Sequence, residues 1–168
     1  MAVIHKAVFL ALLLGAVPAT AQQQDKLFDA TDPKATAAAL MSAGYKAVLK
    51  ESDGDPYIES ATNGQTFSID FYGCKDGHCS SFQFESWYKP DPLWTPALAN
   101  KWNIANRFLR IAVNDKGELH EYMDVTGVGK LTQANFADAV DWYQTMDGEL
   151  AKFIDKAREA AKPDTPKK

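Results

Sequence analysis

The sequence predicts an α+β domain: an antiparallel sheet with helices packed on it. Two observations lead there. Thr66–Cys74 and Cys79–Tyr88 alternate apolar and polar residues, with Phe67, Ile69 and Phe71 against Ser68, Asp70 and Tyr72, then Phe82 and Phe84 against Gln83 and Glu85. Elsewhere, Asp32-Pro33, Thr95-Pro96 and Thr132 each open a stretch with apolar residues at helical spacing. Sheet faces this apolar need helices to cover them, which is the layered α+β solution.

Each element follows from local chemistry. Asp32 is an N-cap and Pro33 a first helical residue, and Gly44 is a natural residue to end that helix. Strands are expected at Tyr45 to Glu51 and Tyr57 to Ala61, joined by a turn through Ser52-Asp53-Gly54-Asp55-Pro56. Asn63-Gly64 then signals a tight hairpin into Thr66–Cys74. Lys75-Asp76-Gly77-His78 turns the chain into Cys79–Tyr88, completing a meander. After a Pro-punctuated connection, Thr95-Pro96 caps a second helix with Leu98, Trp102, Ala105 and Leu109 as one apolar stripe. Strands follow at Phe108 to Val113 and Glu118 to Val125, around the turn Asn114-Asp115-Lys116-Gly117. Thr132 caps a long last helix to about Ala160, with Phe136, Val140, Tyr143, Leu150 and Ile154 inward. The order is α-β-β-β-β-α-β-β-α.

The first 21 residues read as a secretory signal peptide. His5 and Lys6 form a weakly basic start, Ala7 to Val17 is an apolar run, Pro18 breaks it, and Ala19-Thr20-Ala21 is a small-residue cleavage site. The run is shorter than the ~20 residues that span a bilayer, so no stable membrane insertion is expected after cleavage. The expected destination is the bacterial periplasm or the exterior. The expected organisation is a flexible segment over 22–31, one domain over 32–160 and a disordered, Pro-broken tail over 161–168. The processed chain carries 17 basic residues against 22 acidic ones, which argues against a nucleic-acid partner.

Cys74 and Cys79 are the only cysteines. Four residues between two paired strands bring them within disulfide reach, and oxidation is the default in an exported protein. The loop is short, so the chain-entropy gain is about 2 kcal/mol. A redox pair, a metal site and covalent haem attachment are the other readings, the last needing a Cys-x-x-Cys-His pattern that is not here. The spacing is not the Cys-x-x-Cys of a redox pair, and Cys74, His78 and Cys79 lack an evident fourth metal ligand. No metal or cofactor is expected.

The combination Gly73-Cys74-Lys75-Asp76-Gly77-His78-Cys79, Phe82-Gln83-Phe84 and Trp102-Asn103-Ile104-Ala105-Asn106-Arg107-Phe108 resembles the YbjN family of bacterial proteins. Asp124 and the Phe136-to-Trp142 stretch also fit, and the likeness covers roughly Asp32 to Ile154. The resemblance implies a fold similar to type III secretion chaperones and a regulatory role described as sensory transduction. It also implies a protein or peptide partner and, because such chaperones dimerise, a homodimer.

The candidate binding residues are Trp102, Asn103, Arg107, Asp124, Trp87 and Trp94. Asn103 and Arg107, four apart on the expected helix, present a polar patch to a peptide or small anion. Alternatively, Arg107 pairs with Asp124 or Asp70 and orients the helix. Trp102 and Trp142 are expected in the core, with Trp87 and Trp94 as exposed aromatic contacts. No nucleophile elbow or phosphate loop is present. Asp70, Glu85 and Glu121 lie on strands and are expected on a solvated sheet face. The expected function is a non-enzymatic periplasmic binding or chaperone-like module. The alternatives are a small-anion sensor near Asn103 and Arg107 and, third, an envelope enzyme using paired carboxylates.

Overall fold

Tight turns set the architecture. In the computed structural model, which describes residues 26–162, Asp53-Gly54, Asn63-Gly64 and Asp76-Gly77 all have positive φ. Asp or Asn followed by Gly tolerates that geometry, and the resulting twist matches paired strands. The elements are β1 (Leu27–Phe28), α1 (Pro33–Ser42), β2 (Val48–Ser52), β3 (Asp55–Thr62), β4 (Gln65–Tyr72), β5 (Ser81–Tyr88), α2 (Pro96–Ala105), β6 (Arg110–Val113), β7 (Leu119–Thr126), β8 (Leu131–Thr132) and α3 (Gln133–Ala160). Six strands form an antiparallel sheet in the order β2-β3-β4-β5-β7-β6. The signal-peptide residues and 163–168 of the expected tail lie outside the described residues.

The three expected helix caps are all in place. Asp32 accepts from the Lys34 N–H, Thr95 from Leu98 and Thr132 from Asn135. The sheet's inner face carries Ile58, Phe67, Ile69, Phe71, Phe82, Phe84, Leu119 and Met123, all buried. Against it α3 sets Phe136, Val140, Tyr143, Leu150 and Ile154. The centre is aromatic: Phe84 stacks on Tyr143 at 5.2 Å, and Phe67 lies 5.0 Å from the same ring.

Three features depart from expectation. Residues 27–28, placed by sequence in a loose segment, pair with β8, and Phe28 meets Phe136 edge-on at 5.5 Å. Two-residue strands are too short to show alternation. The strand expected from Tyr45 begins at Val48, because Tyr45 donates its N–H to the Leu40 carbonyl and finishes the α1 turn. Leu109 is not in α2, which ends at Ala105. There the Asn106 side-chain amide and backbone N–H both donate to the Trp102 carbonyl.

Cys74 and Cys79 are disulfide-bonded. The flanking strands stop at Tyr72 and resume at Ser81, so the closed loop lies beyond the ladder. It docks on the lead into α1. Cys79 donates its N–H to the Thr31 carbonyl at 2.7 Å, and His78 Nδ1 lies 3.0 Å from the Thr31 hydroxyl. With both sulfurs joined, the metal reading of Cys74, His78 and Cys79 loses its thiolates.

A candidate interaction site at Arg107, Phe108 and Trp142

The segment after α2 explains why Trp102 and Asn103 stand where they do. Trp102 is 2% exposed, and its indole N–H donates to the Leu109 carbonyl at 3.0 Å. The Asn103 amide grips Ile111 twice: Oδ1 accepts from the Ile111 N–H at 3.0 Å and Nδ2 donates to its carbonyl at 2.9 Å. Since β6 is an edge strand, those Ile111 groups face away from β7. Asn103 therefore acts as one residue of a missing neighbour strand and seals the edge. Asn103→Ala is expected to cost about 1–3 kcal/mol through the two orphaned groups. It should also raise self-association through the opened edge. Thermal melts and light scattering check both effects, and an unchanged melt would contradict the sealing role.

With Trp102 and Asn103 engaged in structure, Arg107 and Phe108 remain outside. They do not share a helical face with Asn103, because α2 has already ended. Phe108 sits at φ 65°, a left-handed backbone that disfavours a bulky side chain by about 1–2 kcal/mol. Phe108 stays 43% exposed and its ring lies 4.5 Å from that of Trp142, tilted by 35°, with the Arg107 guanidinium 4.9 Å from its centroid. Ile104, 78% exposed, lies four residues before it. Trp142 is thus not in the core as expected. On α3 it is displaced by about 100° from the inward Tyr143, since each residue turns the helix by that angle.

The expected pairing of Arg107 with Asp124 or Asp70 is replaced by other partners. Asp124 accepts from Gln83 Nε2 at 2.7 Å and Asp70 from the Ser68 hydroxyl at 2.6 Å, both on the sheet's outer face. Burial holds the Asp70 carboxyl above its usual range, with Glu85 nearby adding to the effect. Glu85 itself accepts from His120 Nδ1 at 2.8 Å, and Asn114 Nδ2 approaches His120 Nε2 at 3.1 Å. Trp87 is exposed on this face, as expected. Trp94 is not exposed: its indole donates to the Lys89 carbonyl at 2.9 Å, Tyr88 meets it edge-on, and Arg158 covers it. The Pro-rich connection folds inward around it.

Glu121 overturns the solvated-face expectation. It has no exposed surface and accepts from the Tyr143 hydroxyl at 3.0 Å. Asp147 on α3, also buried, lies close enough to exchange a hydrogen bond with it and accepts from Asn63 Nδ2 at 2.7 Å. Burial pushes the Glu121 carboxyl up to about 8, and Asp147 adds to the effect. Two acids do meet, but both are enclosed between sheet and helix. The open carboxylate cleft required by the enzyme reading is not what Glu121 and Asp147 form.

Neither the curated proteins nor the solved structures give a match to this chain. Residues 33–161 match the family model of YbjN, whose description is "Putative bacterial sensory transduction regulator". That span runs from the first residue of α1 to one residue past α3, and takes in both the Trp102–Phe108 segment and the disulfide loop. The chain belongs to the YbjN family.

Proposed function

We propose that this chain is a non-enzymatic, exported binding module that engages a protein partner through Arg107, Phe108 and Trp142. Family membership supports a regulatory or binding role. The observation that carries the surface is Phe108. A bulky ring held at φ 65° and left 43% exposed adds little to folding for the strain it imposes. Strained backbone of this kind gathers at functional sites. The aromatic pair with an arginine beside it has the composition of a binding hot spot. Export is supported by the signal-like start and the disulfide. No helix among the described residues is long and apolar enough to cross a membrane. The anion-sensor reading is weaker, because both polar atoms of the Asn103 side chain are already bonded to Ile111.

The test is capture from a periplasmic extract with the folded, processed chain as bait. Wild type should enrich one specific protein. Phe108→Asn tolerates the left-handed backbone, so it should keep stability within about 1 kcal/mol of wild type while losing the partner. Trp142→Ala should lose it as well. Retained capture by both folded variants would remove the surface from consideration, and no specific enrichment by wild type would count against the binding role.

A further inference from the structure

The inner face of the sheet is apolar at one end and polar at the other. The register aligns Ser60 with Phe67, and Ser86 with Glu121 and Ile111. Thr62 and Gln65 pair one step further along, as do Tyr88 and Leu119. Over this polar end, α3 brings Tyr143 and Asp147. Several elements therefore face the Glu121 carboxyl. The titratable groups are Tyr143 and Asp147 from α3 and Tyr88 from β5, with Arg158 acting at longer range on Tyr88. Ser60, Thr62, Asn63 and Gln65 supply the uncharged polar groups. Among the described residues, no Lys, Arg or His forms a salt bridge with either buried carboxyl.

Among the described residues three buried side-chain atoms lack a hydrogen-bond partner: the Ser60 and Thr62 hydroxyl oxygens and one carboxylate oxygen of Glu121. Glu121 Oε1 has its donor in Tyr143, whereas Oε2 is buried with none. Its neighbour Asp147 is another acceptor, already bonded to Asn63. A proton on Glu121 Oε2 resolves both problems. It gives that oxygen a role as donor to Asp147, and it avoids two ionised carboxylates side by side with no cation paired to either among the described residues.

We propose that Glu121 and Asp147 form a proton-operated latch: one shared proton holds the middle of α3 on the sheet, and its loss to solvent base releases that stretch and re-sets Trp142. Trp142 is the residue beside Tyr143, so a movement of Tyr143 away from Glu121 moves Trp142 relative to Phe108. Through that movement the latch would regulate the surface proposed above, and this consequence rests on that proposal. The latch itself does not. The raised Glu121 carboxyl, with its midpoint near 8, agrees with the proton being held in neutral solution.

The test follows fluorine resonances of 5-fluorotryptophan in the folded, disulfide-bonded chain from pH 6.5 to 9.5. Trp142→Phe assigns the Trp142 signal, and Trp87, on the opposite sheet face, serves as internal reference. Wild type should show a reversible change at Trp142 with a midpoint near pH 8. Glu121→Gln, which keeps the donor and removes the titration, should flatten it. Asp147→Asn leaves Glu121 to titrate but removes the neighbouring charge, so it should move the transition to lower pH, and it serves alone if Glu121→Gln does not fold. A Trp142 signal that stays constant in wild type overturns the latch, as does a transition that survives in folded Glu121→Gln or keeps its midpoint in folded Asp147→Asn. No partner enters this measurement, so failed capture and a failed latch are told apart.

Discussion

Phe84→Ala is expected to remove about 3–5 kcal/mol of stability, a large share of the 5–15 kcal/mol typical of such a domain. Phe84 sits on β5, in the middle of the sheet, and is fully buried. Its ring touches Tyr143 at 5.2 Å, Phe82 at 5.8 Å, Phe67 at 6.2 Å and Phe136 at 6.4 Å. Truncation leaves a cavity between two layers that other elements already hold in place, so collapse is limited. The melting point should fall by roughly 10–15 °C in a domain of this size. Trp87→Ala, three residues along on the outer face, is the control. It removes a larger side chain but should change stability by less than about 1 kcal/mol, because the ring is 53% exposed. Equal losses from the two substitutions would mean that the inner face is not the core.

The alternation that places Phe84 inward is plain in the sequence, as are the capping residues Asp32, Thr95 and Thr132. These signals are local: a side chain and a backbone two or three residues away decide them. The end of α2 is less legible. The apolar stripe continues to Leu109, and nothing in its spacing tells that Asn106 turns back onto Trp102. That break is made by contacts between α2 and β6, which only the folded chain brings together. The same contacts consume Asn103, while Phe108 takes its left-handed backbone in a tight turn closed by the Leu109 N–H on the Arg107 carbonyl. The Trp-Asn-x-x-x-Arg-Phe segment thus divides into a structural half and an exposed half that composition alone does not separate.

Glu121 is different, because its place is legible and its charge argues against that place. Leu119, Met123 and Val125 share one face of their strand by parity, and Glu121 has the same parity. A carboxylate at an inward position reads as an exception unless a partner is in view, and Asp147 lies 26 residues away on another element. Trp94 and Trp142 depart from expectation for a related reason. Loop position suggests exposure for one and aromatic size suggests burial for the other, whereas Lys89 and Arg158, or the facing angle of α3, decide the outcome.

Stability itself should fall as pH rises from about 5 to 9, and Glu121 should account for much of the slope. Its carboxyl is raised from 4.5 to about 8 by folding. Between those values the folded chain holds a proton that the unfolded chain has released. The contribution is therefore complete below about pH 4.5, shrinks through neutrality and is gone above about pH 8. The size is on the order of 3–5 kcal/mol, because each tenfold gain in proton affinity is worth about 1.4 kcal/mol. Tyr143 works in the same direction, since burial and the adjacent carboxyl both disfavour its ionisation. Glu121→Gln cannot ionise, so its denaturant midpoint should be nearly flat over this range and should exceed that of wild type at pH 9. Parallel profiles for the two proteins would place the slope elsewhere. If instead the curves cross, as expected, the wild-type carboxyl lowers stability in alkaline solution. Its value to the protein would then lie in the pH response.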